Sequence, residues 1–122
     1  MNIRVYYEDT DAGGIVYHTN YIKYCERARS ELFFEQNKTP TDGDGSGFVV
    51  RHIDAHFLGM AYLGDMLEVT TQLVKKKNSS LVLKQSVWNQ EKKVFEMDVV
   101  LVFVRDGKPN RIPEELMEII VP

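Results

Sequence analysis

The amino-acid sequence predicts an α+β domain in which an antiparallel sheet of about five strands wraps one long helix. Two observations predict it: one long stretch whose apolar residues have helical spacing, and four strand-length runs after it that are joined by short breaks. Alternating patterns leave one face of a single sheet to be covered, and only the long helix is large enough to cover it. We therefore expect a single domain over residues 1–122.

The first strand and the helix come from the N-terminal third of the chain. Residues 3–7 follow the period of two that is typical of a short strand. Residues 17–37 instead carry apolar side chains at spacings of four, three and four, which places them on one face of a helix. That stripe consists of Tyr21, Cys25, Ala28 and Leu32.

Four predicted strands follow a glycine-rich loop at residues 39–47. The breaks between the strands are of hairpin length, which favours antiparallel pairing in sequential order. Residues 99–104 are apolar at both parities, so we expect that strand to be buried on both faces, with an oligomer interface covering the outer one. A short helix is predicted after Pro113. The strands are residues 48–58, 66–75, 81–90 and 94–105.

Charge and composition exclude several classes of protein. The chain has 15 Lys and Arg against 18 Asp and Glu, a net charge of −3, which argues against nucleic-acid binding. Its apolar runs are far shorter than the ~20 residues of a membrane span, and its first residues lack the apolar core of an export signal. The single cysteine, Cys25, cannot form an internal disulfide. We expect a cytoplasmic protein.

The sequence offers no convincing metal site. The acidic runs that begin at Asp9 and Asp42 have Asn20 and Ile53 where a calcium loop needs glutamate. His52 and His56 lie four residues apart on a predicted strand, about 13 Å at ~3.3 Å per residue, which is too far to share one zinc ion. Cys25 lies on the apolar stripe of the helix, where a buried, inert thiol is expected.

A cluster of positive charge lies at the third and fourth strands, where Lys75, Lys76 and Lys77 precede a polar turn. One interpretation is a solvated hairpin whose lysines prevent edge aggregation. The other is an anion site, since local positive charge beside backbone N–H groups suits phosphates.

Residues 7–21 combine a strand end, an acidic turn, two glycines and a helix start. Gly13 and Gly14 permit close backbone approaches, and the first turn of the helix offers unpaired N–H groups. A carbonyl oxygen bound there would be polarised, and Asp11 would supply a nucleophile or general base. The alternative is that Asp9 and Asp11 only cap the helix.

The run D-T-D-A-G-G-I-V-Y-H-T-N-Y, followed by C-E-R-A-R-S-E-L-F, resembles the signature of the YbgC-like, 4-hydroxybenzoyl-CoA thioesterase-like branch of hotdog-fold acyl-CoA thioesterases. The later runs G-D-M-L-E-V and K-K-K-N-S-S-L-V-L resemble the same family. The resemblance implies a long central helix wrapped by a curved antiparallel sheet. It also implies a homodimer or homotetramer with the active site at the subunit interface.

The same resemblance implies roles for individual residues. Asp11 corresponds to the catalytic carboxylate, with Asp9 a bystander, and the backbone N–H of His18 to the oxyanion donor. Tyr7 corresponds to a tyrosine implicated in this branch. The remaining expected substrate-binding residues lie in the same motif or in the region that grips the nucleotide of coenzyme A. These are Gly14, Tyr17, Arg51, Lys75, Lys77, Asn78, Ser79 and Ser80.

The leading hypothesis is an acyl-CoA thioesterase that releases a carboxylic acid and coenzyme A without metal or redox cofactor. Asp11 would act as base on water or attack the carbonyl itself. The alternatives are a non-catalytic module that binds acyl-CoA or acyl-carrier protein, and a dehydratase or hydratase on the same fold. Preference for chain length, and for aromatic or aliphatic acyl groups, stays open.

Overall fold

The computed structural model describes residues 1–41 and 43–121, so the predictions that involve Asp42 lie outside the described residues. No helix in these ranges is long and apolar enough to cross a membrane. One long helix, one short helix and six strands make up the fold, with a single 3₁₀ turn at Tyr7–Asp9. In chain order they are β1 (Asn2–Arg4), α1 (His18–Phe34), β2 (Gly47–Phe57), β3 (Met66–Lys76), β4 (Ser80–Asn89), β5 (Lys92–Arg105), β6 (Lys108–Pro109) and α2 (Glu114–Ile120).

The sheet is antiparallel throughout, in the order β1-β3-β4-β5-β2, with β6 beside the end of β5. Sequential pairing is therefore confirmed for β3, β4 and β5 and wrong for β2, which pairs with β5 instead of β3. The short connector at residues 58–65 forms its hydrogen bonds elsewhere. Leu58 N–H donates to Val94 O at 3.0 Å, and Leu63 N–H donates to Gly14 O at 3.1 Å. The connector thus crosses from one side of the sheet to the other.

The first strand is shorter than predicted and ends at Arg4. Tyr7 begins the 3₁₀ turn because the Asp9 carboxylate accepts a hydrogen bond from Tyr6 N–H at 2.9 Å and bends the chain. The predicted strand over residues 3–7 is therefore wrong at its C-terminal end.

The predicted helix is confirmed as α1, with its end three residues earlier. Asn37 adopts a φ of 58°, and Lys38 N–H donates to Phe33 O at 3.0 Å, which closes the helix. Of the predicted stripe, Tyr21, Cys25 and Ala28 are buried and Leu32 is half-buried.

A polar contact ties α1 to the sheet inside this apolar core. Gln85 of β4 is fully buried and accepts a hydrogen bond from Arg29 Nη1 at 2.8 Å. Its amide nitrogen donates to Cys25 O at 2.9 Å and to Thr71 Oγ1 at 3.1 Å. Because every polar atom of the Gln85 side chain has a partner, the contact fixes the helix on the sheet without an orphaned group.

Strand β5 is central, between β4 and β2, and its predicted burial on both faces is largely confirmed. Val99, Leu101 and Phe103 belong to the core beneath α1. Val102 points to the other face and is still only 7% exposed. Val100 and Val104 on that outer face are half-buried.

Candidate functional site

A small ladder places Asp11 beside the start of α1. Thr10 and Val16 form an antiparallel bridge. Asp11 N–H donates to Ile15 O at 2.9 Å, and Tyr17 N–H donates to Asp9 O at 2.9 Å. The Asp9–Tyr17 pair lies where α1 begins, and Asp11 is two residues along the ladder from that pair. This spacing corresponds to roughly 7 Å at about 3.3 Å per residue.

The Asp11 side chain is exposed, and the turn that follows it holds one of its oxygens. Oδ1 accepts hydrogen bonds from Gly13 N–H at 2.9 Å and Ile15 N–H at 3.3 Å. Gly14 has a φ of +77°, a conformation that favours glycine, and its N–H donates to Asp11 O at 3.1 Å. Oδ2 has no hydrogen-bond partner in residues 1–41 and 43–121. The turn thus orients the carboxylate and leaves one oxygen open.

The first turn of α1 presents unpaired donors next to this carboxylate. Tyr17 is the residue before the helix, and its side chain makes no capping hydrogen bond. The N–H groups of His18 and Thr19 have no acceptor in the part of the chain that the structure describes. Neither Asp9 nor Asp11 caps α1 with its side chain, so that alternative is wrong. The open N–H groups and the helix dipole favour negative charge at this point.

Asp9, the expected bystander to Asp11, is a buried structural residue. It is 3% exposed, and its carboxylate accepts from Tyr6 N–H and from Asn20 Nδ2. Sequence reasoning missed Asn20, which is also buried. The available signal was an asparagine in the first turn of α1, on a helix face that is otherwise apolar, which indicates a buried polar contact.

Aromatic and aliphatic side chains surround the helix start. The His18 ring centroid lies 4.5 Å from that of Tyr17 and 6.1 Å from that of Phe57. Tyr7 is 83% exposed and makes no hydrogen bond through its hydroxyl within the described ranges. Six large apolar side chains of this region are each about half exposed: Tyr17, Phe57, Leu58, Met60, Tyr62 and Leu63.

The predicted nucleotide-binding residues gather at the other end of the sheet. Arg51, Lys75, Lys77 and Ser80 line a depression of about 130 Å³ on the outer face, with Val82 and Val100 as its floor. Arg51 thus lies beside the lysines of its own chain.

The turn between β3 and β4 is fixed by the chain that follows it. Asn78 O accepts from Ile112 N–H at 3.0 Å, and Ser79 O accepts from Phe103 N–H at 2.8 Å. Within the turn, Lys77 N–H donates to Ser80 O at 2.8 Å. The backbone of the cationic turn is therefore held rigidly, and the lysine side chains project from a fixed base.

The register of the sheet separates the two groups of residues within one chain. Lys76, Leu81, Leu101 and Val50 form one row across β3, β4, β5 and β2. Phe57, which contacts His18, lies seven residues further along β2, roughly 20 Å at about 3.3 Å per residue. The structure therefore places Asp11 two ladder residues from Tyr17 and the start of α1, and it does not bring Arg51 or the lysines to them.

An apolar cavity of about 240 Å³ lies at that same far end, between the second half of α1, the start of β2 and the end of α2. Arg29 and Glu26 bring charge to its lining. The apolar lining residues are Leu32, Phe33, Phe48, Val50, Leu83, Leu101 and Ile120.

Other reactive side chains do not join the site. Cys25 is fully buried, and burial raises the pKa of its thiol to about 12, so the thiolate form is scarce at neutral pH. His56 Nε2 lies 3.4 Å from Asp54 Oδ1 on the exposed side of β2. Across residues 1–41 and 43–121, no three His, Cys, Asp or Glu side chains are grouped so that they could hold a metal ion.

Comparison with known proteins places the chain in a family. The model of the thioesterase superfamily matches residues 13–96. The chain belongs to this superfamily. The resemblance drawn from the D-T-D-A-G-G motif is thereby confirmed, as is the predicted hotdog fold.

Two relatives of this thioesterase-superfamily chain are matched over nearly their whole length. The acyl-CoA thioesterase YbgC of Helicobacter pylori is 42% identical over 98% of both chains. The acyl-CoA thioester hydrolase YbgC of Escherichia coli O6:H1 is 37% identical, over 94% of this chain and 90% of the relative. These names support the prediction of a hydrolase.

Two solved structures share the fold. A hypothetical protein from Aquifex aeolicus superposes with a TM-score of 0.90 at 25% identity, covering 98% of this chain and 97% of its own. A thioesterase from Thermus thermophilus, solved with coenzyme A and zinc, has a TM-score of 0.83 at 28% identity and covers 98% and 89%.

Proposed function

We propose that the chain hydrolyses the thioester bond of acyl-CoA to a carboxylic acid and coenzyme A at Asp11. The observation that carries this proposal is the ladder at residues 9–17, which sets an oriented carboxylate beside unpaired helix N–H groups. Acyl transfer needs both a group that attacks or activates water and donors for the developing oxyanion. The relatives named acyl-CoA thioesterase and acyl-CoA thioester hydrolase support the same chemistry.

In the proposed reaction the thioester carbonyl oxygen accepts a hydrogen bond from the His18 N–H. Two routes then use Asp11. As a base, it takes a proton from water while the water oxygen bonds to the carbonyl carbon, and the C–S bond breaks to release coenzyme A thiolate. As a nucleophile, it displaces the thiolate to form an anhydride, which water then hydrolyses. A single turnover in H₂¹⁸O separates the routes, because label in the Asp11 carboxylate indicates the anhydride.

We propose that this reaction needs no metal or redox cofactor, since water, carboxylate and N–H groups suffice for hydrolysis of a thioester. The Thermus thermophilus relative was solved with zinc, which makes the point worth testing. Dialysis against a strong chelator should leave turnover unchanged. Recovery of lost activity on adding zinc would contradict the proposal.

The complete site is proposed to need two chains. Strand β2 lies at the end of the sheet order, and beyond its bridge with Thr41 at Gly47 its outer edge has no strand partner within residues 1–41 and 43–121, so it could pair with a second copy. Antiparallel pairing of two β2 strands would place Phe57 of one chain near the Val50 row of the other. That arrangement sets the apolar cavity and the cationic depression of one chain near Asp11 of its partner. The acyl group would enter the cavity, and the Arg51, Lys75 and Lys77 charges would hold the phosphates of coenzyme A.

The remaining elements of the proposal follow from the same surfaces. Two such dimers would form a tetramer by covering the outer face of β5, where Val102 is already shielded. The cationic depression would also suit an acidic acyl-carrier protein. A chain whose single cysteine is buried and unpaired fits the reducing cytoplasm.

The first experiment compares wild type with Asp11→Asn on a panel of short, long and aromatic acyl-CoAs, by release of free coenzyme A thiol. Asp44→Asn is the matched control, because Asp44 Oδ1 also accepts from the N–H two residues later, at 2.9 Å. We expect Asp11→Asn to lose at least about 100-fold in kcat, roughly 3 kcal/mol of barrier, and Asp44→Asn to keep full activity. Full activity of Asp11→Asn would overturn the mechanism. Binding without cleavage by wild type would favour the binding module.

A second experiment tests the two-chain site by mixing inactive variants. Ser30→Trp fills the mouth of the apolar cavity and leaves Asp11 intact. In mixed dimers with Asp11→Asn, one of the two sites would combine a wild-type Asp11 with a wild-type cavity. Refolding an equal mixture should therefore restore about a quarter of wild-type activity. No activity above the average of the two parents would contradict a shared site.

A further inference from the structure

We infer that Asp9 and Asn20 are positioning residues for Asp11: their buried hydrogen bond fixes the ladder that holds the catalytic carboxylate relative to the start of α1. This inference rests on the proposed role of Asp11. Asp9 would act only through Asp11, because it is 3% exposed and its carboxylate is not accessible to substrate.

Three hydrogen bonds converge on Asp9 from the segments on both sides of Asp11. Its Oδ2 accepts from Tyr6 N–H at 2.9 Å, which fixes the chain entering the turn. Its Oδ1 accepts from Asn20 Nδ2 at 3.0 Å, and its backbone oxygen accepts from Tyr17 N–H at 2.9 Å, which fix the helix. One residue therefore links the strand before the turn to the first turn of α1.

The Asp9 carboxylate depends on these hydrogen bonds because it has few other polar partners. No salt bridge to Asp9 is present in residues 1–41 and 43–121. The buried Tyr24 hydroxyl faces the Asp9 carboxylate, but it makes no hydrogen bond of normal length and angle within residues 1–41 and 43–121. Burial raises the pKa of Tyr24, and the charge of Asp9 raises it further, so this hydroxyl stays protonated. The carboxylate is thus held by Tyr6 and Asn20.

Both oxygens of Asp9 act as acceptors. A carboxylate at position 20 would face the Asp9 carboxylate, so two negatively charged acceptors would meet in a buried site with no donor between them. Such a pair destabilises that arrangement, and the ladder would shift to relieve it. Because Asp11 lies two residues further along the ladder, the shift would move its carboxylate relative to the His18 N–H. A displacement of about 1 Å in such a pair can cost on the order of 100-fold in rate.

The test uses a reversal of the bond. We expect Asn20→Asp to lower kcat roughly 10- to 100-fold with KM nearly unchanged, because the pair acts through the position of Asp11 and not through its own contacts with substrate. The double variant Asp9→Asn/Asn20→Asp restores both contacts. Its asparagine at position 9 accepts from Tyr6 N–H through the amide oxygen and donates through the NH₂ group to the new carboxylate at position 20. The kcat of the double variant should return to within about threefold of wild type.

A matched control separates positioning from general stability. Asp65 Oδ2 accepts from Tyr62 N–H at 2.8 Å and from Asn89 Nδ2 at 2.9 Å, so this carboxylate also receives one backbone donor and one asparagine donor. Asn89→Asp therefore introduces a carboxylate pair outside residues 9–17, and it should lower the Tm while kcat is kept.

Each result either supports or overturns the inference. Wild-type kcat in Asn20→Asp, or a folded double variant that stays as slow as Asn20→Asp, overturns it. So does an equal loss of kcat in Asn89→Asp. If Asn20→Asp does not fold, the double variant decides, since only a restored bond predicts a folded and active protein. Failure of the proposed function would show separately, as full activity of Asp11→Asn.

Discussion

The hydroxyl of Tyr21 accepts a hydrogen bond from the backbone N–H of Ala61 at 3.1 Å, although 40 residues separate them in the chain. Both residues are buried, and Ala61 O in turn accepts from Val16 N–H at 2.9 Å. Tyr21 thus connects the first turns of α1 to the connector between β2 and β3, and the connector to the segment just before the helix. The ladder that carries Asp11 is supported from beneath by this contact.

Removing that contact should destabilise the protein. Tyr21→Phe keeps the ring and its stacking on Phe95, at 5.3 Å between centroids, and leaves the buried Ala61 N–H without an acceptor. We expect the free energy of unfolding to fall by about 1–3 kcal/mol in urea titrations. Tyr62→Phe, with its half-exposed ring, is the control and should unfold like wild type. Equal stability of Tyr21→Phe and wild type would show that the contact contributes nothing.

The Gly14 turn should be sensitive to any side chain. A Cβ at Gly14 meets nothing within 4 Å, so the cost of Gly14→Ala comes only from its φ of +77°, roughly 1–2 kcal/mol. Gly107→Ala has the same strain, at a φ of +75°, in a distant hairpin. Thermal melts should show similar losses for both, while thiol-release assays should show a lower kcat for Gly14→Ala alone. Similar kcat values for the two variants would show that the conformation of the Gly14 turn does not affect catalysis.

The lysines of the β3–β4 region should differ in their effect on KM according to the face of the sheet on which they lie. Lys75 and Lys77 line the outer depression, whereas Lys76 pairs with the core residue Leu81 in the register. Lys75→Ala and Lys77→Ala should each raise KM for acyl-CoA about 10-fold at unchanged kcat, because each charged contact to phosphate is lost. Thioesters of pantetheine, which lack the nucleotide, should be unaffected. Lys76→Ala is the control, and an equal rise in its KM would contradict the assignment.

Stability should fall in alkali because of Tyr24. Burial, and then the charge of Asp9, raise the pKa of Tyr24 above the value of about 10 in an unfolded chain. The unfolded state therefore loses this proton first, and the free energy of unfolding declines as the pH rises above about 10. Tyr24→Phe should flatten that decline in urea titrations between about pH 8 and 11.

Below about pH 10 this variant should be as stable as wild type, since the hydroxyl has no hydrogen-bond partner within the described residues. Tyr6→Phe, which changes an exposed ring, is the control and should keep the wild-type slope. A Tyr24→Phe variant with that same slope would contradict the role of Tyr24.

The elements of the fold were predictable because each has a local signature. Helix α1 follows from its spacing of apolar residues, and β5 from its doubly apolar run. Strand order has no such signature, since an edge strand and its neighbour share the same period of two. The position of β2 depends on contacts such as Leu58 N–H with Val94 O, which joins residues far apart in the chain.

The parts of the candidate site that lie in one contiguous segment could likewise be predicted from the sequence. The positions of Asp11 and His18 beside each other follow from a contiguous motif, and the turn geometry agrees with it. The hydrogen bond between Asp9 and Asn20 was not predictable, because a linear sequence does not show which of its polar residues are buried together. The separation of the lysines from Asp11 likewise depends on the register of the sheet, which spans β2 to β3.

The placement of β2 beside β5 also has a consequence for how the chain folds. Gly47 of β2 pairs with Val104 of β5, so this partner emerges from the ribosome 57 residues later. Strand β2 therefore has no strand partner of its own until β5 has been synthesised, whereas β3, β4 and β5 pair in consecutive hairpins. Long-range closure of this kind slows folding and exposes the waiting strand to chaperones or to a neighbouring nascent copy.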